Sequence, residues 1–183
     1  MEKTKKNFLM LKKTNTSIQD FWWVDIDANS LSRQKIELYF TGRKCSKITF
    51  ETTLLTVFGS SLDDTLVGGP GFNYPWWMFI GPEPEYNYNG IFSFSNVMSQ
   101  CQIEGDYEGV CSVNDWKVFF NQMLSVLFGI RGVESLLFYN VADKFCFYLH
   151  STCGVGIWYK KESKSLQSII SRALENGFEI QTM

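Results

Sequence analysis

The chain has 183 residues and a formal net charge of −2 at pH 7; 45% of its residues are hydrophobic and 16% are aromatic. A chain of this length buries roughly 70% of the surface that its unfolded form exposes, so we expect one domain, 1–183, around its own core. The composition excludes a disordered chain, a collagen-like repeat and a coiled coil.

The N-terminal part of the chain predicts an antiparallel meander. Residues 1–19 are basic at their start, and we expect this segment to be partly flexible. Residues 21–27 are rich in aromatic and β-branched side chains, and residues 34–40 alternate between apolar and polar, so each predicts a strand. Residues 41–44 suit a hairpin connection to a third strand over about 47–57, since there is no room for a crossover helix.

The middle of the chain is rich in turn-forming residues. Residues 67–75 carry too many glycine, proline and asparagine residues for regular structure. The apolar segment 76–80 predicts a buried strand, and 81–90 predicts an extended loop because it contains two prolines. We expect another strand at 91–94 and a short helix at 96–102.

The C-terminal part has the clearest patterns. Apolar residues at helical spacing predict helices over 116–127 and 166–174. Alternating, β-branched and aromatic segments predict strands over 135–141, 144–150 and 155–160, the first two forming a hairpin.

Capping signals support both C-terminal helices. Ser112 followed by Asp115 resembles a capping box, Ser163 or Ser165 suits the start of the last helix, and Gly177 suits its end. All these elements together predict an α+β fold: an antiparallel β-sheet with two or three helices packed on one face.

The sequence predicts a cytoplasmic protein without a membrane partner. The first apolar run, residues 8–11, is too short for a secretory signal, and the apolar stretch around 118–130 is interrupted by polar side chains. The five cysteines are widely scattered and none forms a C-x-x-C pair, so we expect them to be reduced and buried.

The motifs of the common enzyme classes are absent from the sequence. It has no G-x-S-x-G elbow and no phosphate-binding loop, and its single histidine, His150, argues against a zinc site. We therefore expect a protein that is not an enzyme and has no cofactor or metal. Two catalytic alternatives stay open: Asp25 and Asp27 on one face of a strand could hold a divalent metal ion, and Cys153 could pair with His150.

Charge is distributed unevenly along the chain. Residues 1–50 contain ten Lys and Arg against five acidic residues, whereas residues 51–116 contain nine acidic residues and no Lys or Arg. Exposed carboxylates without nearby cations attract a basic partner and repel nucleic-acid phosphates, so we expect no direct nucleic-acid binding by this segment.

The acidic residues lie in loops that also carry tyrosine. Tyrosine gives a large contact area for little loss of side-chain entropy, so acidic, tyrosine-bearing loops are typical of binding surfaces. The residues predicted to bind a partner are Asp63, Asp64, Glu83, Glu85, Tyr86, Tyr88, Glu104, Asp106, Tyr107 and Glu108.

In size, lack of a signal segment, lack of catalytic motifs and possession of these acidic loops, the chain resembles the immunity proteins that bacteria carry against contact-delivered toxins. The resemblance is one of general character over the whole chain and involves no shared motif. It implies a cytoplasmic inhibitor that binds one cognate toxin domain, often a basic nuclease. An alternative is a phage-type protein that inhibits a nucleic-acid-binding host complex by the same acidic mimicry.

Overall fold

A computed structural model describes residues 9–25, 33–41, 45–80, 89–129 and 135–181. Eight strands are described: β1 (Leu11–Lys13), β2 (Gln34–Phe40), β3 (Thr65–Gly68), β4 (Cys111–Val113), β5 (Leu137–Asn140), β6 (Phe145–His150), β7 (Gly154–Tyr159) and β8 (Phe178–Gln181). The α-helices are α1 (Lys47–Phe58), α2 (Trp77–Ile80), α3 (Asn89–Gln100), α4 (Trp116–Gly129) and α5 (Lys164–Glu175). Two 3₁₀ segments cover Gln19–Val24 and Gly59–Asp64.

The strands form one antiparallel sheet in the order β1-β4-β3-β5-β6-β7-β2-β8. With the helices, this arrangement confirms the predicted α+β class. In the described part of the chain, none of the helices combines the length and the apolar character that crossing a bilayer requires.

One face of the sheet carries the main core, to which the long helices α1, α3, α4 and α5 all contribute buried side chains. The prediction of two or three helices was therefore too low. Phe147 of β6 stacks on Phe138 of β5 at 4.5 Å and on Phe58 of α1 at 4.1 Å between ring centroids. Offset aromatic stacks of this kind add to the hydrophobic gain, so this layer anchors the helices to the sheet.

The opposite face, called the second face below, carries a smaller core. Its buried side chains include Leu66, Leu137, Tyr139 and Cys146 from the strands. The 3₁₀ segment Gln19–Val24 covers part of this face, with Phe21 edge-on to Tyr139 at 5.3 Å. None of the long helices covers the described part of this face.

Segment 47–57 was predicted to be a strand, and that prediction was wrong: it belongs to α1. Ser46 caps the helix by accepting a hydrogen bond from the Thr49 amide, and three threonine hydroxyls donate to carbonyls four residues earlier. The buried residues Phe50, Leu54, Val57 and Phe58 follow helical spacing, so packing against the sheet overrides the β propensity of the threonines.

Three other predicted strands are also wrong. Residues 21–24 belong to a 3₁₀ segment, residues 77–80 form the short helix α2, and residues 91–94 lie inside α3. Short aromatic runs fit a helix and a strand equally well, so local composition misassigned them.

The remaining strand predictions are confirmed, with shifts of a few residues, by β2, β5, β6 and β7, and the two C-terminal helices by α4 and α5. The helix predicted at 96–102 is the second half of the longer α3. Of the two predicted caps of α5, Ser163 and Ser165, the structure shows Ser163 accepting a hydrogen bond from the Leu166 amide. Ser112 lies in β4 instead of capping α4, and Asp115 takes that role by accepting a hydrogen bond from the Val118 amide.

Candidate functional site

The predicted acidic residues that the structure describes lie at both ends of β3. Asp63 and Asp64 are exposed at its start, whereas residues 104–108 precede β4. Because Val67 of β3 pairs with Cys111 of β4, the 104–108 loop lies near the other end of β3. About five residues of extended chain, roughly 17 Å in length, separate Asp64 from the end of β3 near which the 104–108 loop lies. The structure therefore does not bring the two acidic groups together.

Within the 104–108 loop, Glu104 is paired with a lysine from the N-terminal part of the chain. The Lys13 Nζ lies 2.6 Å from Glu104 Oε2 and 4.8 Å from the centre of the Tyr107 ring. The hydrogen bond from Lys13 lowers the pKa of Glu104. Asp106 and Glu108 remain exposed.

Tyr107 has a structural role in this loop. Its ring packs against the main core, its hydroxyl donates to the Val110 carbonyl at 3.1 Å, and burial raises its pKa. Much of its side chain is therefore unavailable to a partner.

The segment 74–78 binds the acidic loop through backbone atoms. The Trp77 amide donates to the Gly105 carbonyl at 2.8 Å, and the Trp76 amide donates to the Tyr107 carbonyl at 3.1 Å. Trp76 is fully buried, and its indole nitrogen donates to the Gly109 carbonyl. Trp77 is 41% exposed.

These contacts create a surface that the sequence analysis missed, because it assigned both tryptophans to the core. We call it the aromatic–acidic patch: Tyr74, Trp77, Met78, Asp106 and Glu108. All five side chains are exposed. Because α2 starts at Trp77, the side chains of Trp76 and Trp77 point in different directions. Which of the two rings is exposed therefore depends on the backbone conformation at this turn.

Four of the predicted binding residues, Glu83, Glu85, Tyr86 and Tyr88, lie outside the described residues, and their role stays a prediction. The same holds for Asp27 of the proposed metal pair. Within the described ranges, no group of three His, Cys, Asp or Glu side chains could hold a metal ion.

A second constellation lies on the second face of the sheet, where two glycines of β7 leave space between β6 and β2. In register, Gly156 lies between Tyr148 and Glu37, and Gly154 lies between His150 and Tyr39. A Cβ atom at Gly156 would overlap the Tyr148 ring, and one at Gly154 would lie 2.9 Å from Tyr39 and 3.0 Å from His150. The glycines therefore allow side chains of β6 to reach across β7.

Glu37 is the centre of this constellation and is only 5% exposed. Its carboxylate accepts hydrogen bonds from the Tyr148 hydroxyl and Lys35 Nζ, both at 2.6 Å, and lies 3.1 Å from His150 Nε2. Burial by itself would raise its pKa, but the hydrogen bonds from Lys35, Tyr148 and His150 outweigh burial, so the pKa is lowered. Glu37 is therefore a carboxylate at neutral pH. Because a carboxylate can only accept hydrogen bonds, the hydrogen between Glu37 and His150 lies on His150 Nε2.

A cavity of about 480 Å³ adjoins this constellation, within the size range of ligand pockets. Strand residues of the second face contribute Leu137, Tyr148, His150 and Trp158 to its lining. Segment 70–74 lines another part of it, together with Val24 and Asp25. Tyr74 belongs both to this lining and to the aromatic–acidic patch.

The structure does not support pairing of Cys153 with His150 as a catalytic dyad. Cys153 forms a disulfide with Cys45, with 6.3 Å between the Cα atoms. The prediction that all five cysteines are reduced is wrong for this pair, because a contact across 108 residues leaves no local pattern. Cys101, Cys111 and Cys146 are free and buried, as predicted; burial raises the pKa of Cys111 to about 12.

Comparison with known proteins does not assign the chain to a family. The chain matches no protein-family profile, no curated protein and no solved structure.

Proposed function

We propose that this chain is an immunity protein that binds and neutralises a basic toxin domain through its aromatic–acidic patch, without a catalytic step of its own. The partner would be a protein such as a nuclease, whose lysines and arginines grip phosphate. Carboxylates on the inhibitor would occupy those cations through charge-assisted hydrogen bonds.

The observation that carries the proposal is that the loop with two exposed carboxylates is hydrogen-bonded through its backbone to the segment that carries an exposed tryptophan. Asp106 and Glu108 form no ion pair with any residue in the described ranges. The backbone of Trp77 is held against the same loop by its hydrogen bond to the Gly105 carbonyl. Tryptophan and tyrosine dominate binding energy at interfaces, and unpaired surface charge speeds the encounter with a charged partner.

The other described acidic residues of the predicted binding set support this choice of surface by contrast. Glu104 already has Lys13 as its partner, so it contributes less to the electric field outside the protein. Asp63 and Asp64 are exposed, but they lie near the start of β3, away from Trp77. They provide a matched control of equal charge.

The test compares two double charge reversals: Asp106→Lys with Glu108→Lys, and Asp63→Lys with Asp64→Lys. The binding partner is the polypeptide encoded by the neighbouring reading frame, because an immunity gene usually lies next to its toxin gene. We expect the first variant to lose at least about tenfold in affinity at 50 mM salt and to stop protecting cells that produce this polypeptide. The second variant should retain most of its affinity and its protection.

Circular dichroism and urea unfolding would show that both variants are folded. The proposal is wrong if the neighbouring polypeptide does not bind, or if the two double variants lose affinity equally. The alternative of a phage-type inhibitor uses the same acidic mimicry on a different partner. Binding to a nucleic-acid-binding host complex, without binding to the neighbouring polypeptide, would favour that alternative.

A further inference from the structure

We infer that the cavity on the second face binds a small ligand with a planar heteroaromatic ring whose edge carries both hydrogen-bond donors and acceptors, as a purine base does. This inference goes beyond the proposed function, because it concerns a small molecule and needs no partner protein. Three features of the cavity support it: the way in which the space forms, the row of rings along one side, and the polar groups that remain without partners.

The glycines of β7 help to create the space. Tyr148 and His150 extend across Gly156 and Gly154 toward β2, where both contact Glu37. A Cβ atom at either glycine would meet one of these rings, so larger residues there would displace them. Because both side chains lean toward β2, they line one side of the cavity instead of filling it.

Three of the lining rings stand in a row. Trp158 pairs with Cys146, which lies four residues before His150 in β6, and Tyr148 lies midway between them. The centre of the Tyr148 ring is 4.8 Å from that of Trp158 and 5.0 Å from that of His150. Phe72, which is half-buried, adds another ring to the lining. Aromatic side chains stack on bases of every kind, so a flat ligand laid against Tyr148 would have Trp158 near one end and His150 near the other.

Hydrogen-bond donors remain on the lining. In the described part of the chain, Trp158 Nε1 forms no hydrogen bond and is not sealed from solvent, so the indole N–H can donate to a ligand. The hydroxyls of Tyr74 and Ser151 also form no hydrogen bond there, and both side chains are exposed. The Tyr148 hydroxyl, by contrast, already donates to Glu37. A ligand that fits therefore brings at least one acceptor, which a hydrocarbon ring or an indole lacks.

His150 offers an acceptor whose identity Glu37 fixes. Its Nε2 donates to Glu37, so Nδ1 of the neutral imidazole keeps a free lone pair. The Cδ2 edge of the ring faces Gly154, so the edge with Nδ1 faces away from the sheet. Asp25 also lines the cavity, but it already interacts within the protein, so we assign no ligand contact to it. A ligand therefore needs a donor for His150 and an acceptor for Trp158, and adenine has both, an amino group and ring nitrogens.

The test titrates small probes into the ¹⁵N-labelled chain at pH 8, where free imidazole is neutral. Adenosine has a bicyclic ring with donors and acceptors, indole has a bicyclic ring with one donor and no acceptor, and methyl riboside has the sugar alone. We expect adenosine to bind at least about tenfold more tightly than either, because indole cannot accept from Trp158 and the sugar has no aromatic face to stack. The amide shifts should map to Tyr148, His150 and Trp158.

Three substitutions make the test specific to the cavity. Trp158→Phe keeps a ring but removes the N–H donor, so the affinity for adenosine should fall about five- to tenfold and that for indole less than about twofold. Trp22 is 51% exposed and does not line the cavity, so Trp22→Phe should leave both affinities unchanged. Phe72→Ala removes a lining ring without a polar group and should weaken adenosine and indole alike, by at least about fivefold. Circular dichroism and urea unfolding would show that the variants are folded.

The inference fails if no probe binds, if indole or methyl riboside binds as tightly as adenosine, or if the two tryptophan variants behave alike. Single-stranded oligoadenylate is the last probe: binding at least about tenfold tighter per base than adenosine would assign the cavity to nucleic acid and overturn the inference, whereas equal or weaker binding supports it. These outcomes are distinct from failure of the proposed function, because Asp106 and Glu108 do not line the cavity and no partner protein is present.

Discussion

The two faces of the sheet are made by the same strands but differ in chemistry. On one face, phenylalanine rings of β5 and β6 stack under four long helices, and the strand side chains are almost entirely apolar. On the second face, aromatic rings share the surface with a buried carboxylate, a histidine and two glycines, and the described part has a cavity instead of helices.

This difference separates apolar packing from polar contacts within single strands. Phe147 and Tyr148 are neighbours in β6, yet the first is sealed in the main core and the second donates a hydrogen bond beside the cavity. Because side chains alternate along a strand, one strand supplies both a packing layer and a polar layer. We therefore expect substitutions on the two faces to differ in both size and kind.

The largest effect is expected on the helix-covered face. Phe147→Ala removes a fully buried ring from between Phe58 and Phe138, so we expect a loss of about 3–5 kcal/mol in the free energy of unfolding. Urea denaturation followed by fluorescence measures this loss. A cost below about 1 kcal/mol would contradict the assignment of this layer as the main source of stability.

A smaller effect is expected when the space across β7 is filled. Gly156→Ala introduces a Cβ that must displace the Tyr148 ring, which also breaks the hydrogen bond to Glu37. We expect a loss of about 2 kcal/mol in unfolding free energy. Gly129→Ala is the control, because its Cβ meets nothing within 4 Å, and it should be neutral or slightly stabilising.

A double-mutant cycle sharpens that experiment. In a Tyr148→Ala background the ring is absent, so Gly156→Ala should cost much less than in the wild type. Equal costs in both backgrounds would show that the glycine is needed for a reason other than the passage of Tyr148 across β7.

The smallest stability effect is expected at Glu37, and it depends on pH. The pKa of Glu37 is lowered from its ordinary value of 4.5, so the folded state binds fewer protons than the unfolded state near that pH. Its contribution is present above about pH 5.5 and is lost as the pH falls through 4.5 toward the folded pKa. We expect Glu37→Gln to cost about 1.5 kcal/mol at pH 7 and little at low pH.

Urea denaturation of both proteins at several pH values between 7 and 3.5 measures this difference. Glu175→Gln, at an exposed carboxylate at the end of α5, should show no comparable cost at pH 7. A wild-type advantage over Glu37→Gln that grows as the pH falls would contradict the assigned direction of the pKa.

Sequence reasoning predicted the α+β class, strands β2, β5, β6 and β7, and helices α4 and α5, because these elements have regular periodicity or caps. It failed where periodicity is weak, as at α1, whose threonines suit a strand but whose hydroxyls bond within the helix. Of the candidate site, it predicted Asp106 and Glu108 as binding residues but missed Trp77.

The amino-acid sequence by itself determined which segments alternate, where α4 and α5 lie, and that positive charge is missing from residues 51–116, because these are properties of neighbouring residues. Only the tertiary structure decided that Lys13 pairs with Glu104, that Trp77 is exposed while Trp76 is buried, and that Glu37 meets His150 across Gly154 and Gly156. The contacts of Lys13 with Glu104 and of Glu37 with His150 join residues about 90 to 110 positions apart in the chain. Strand register brings Glu37 and His150 together, and no local pattern in the sequence encodes that register.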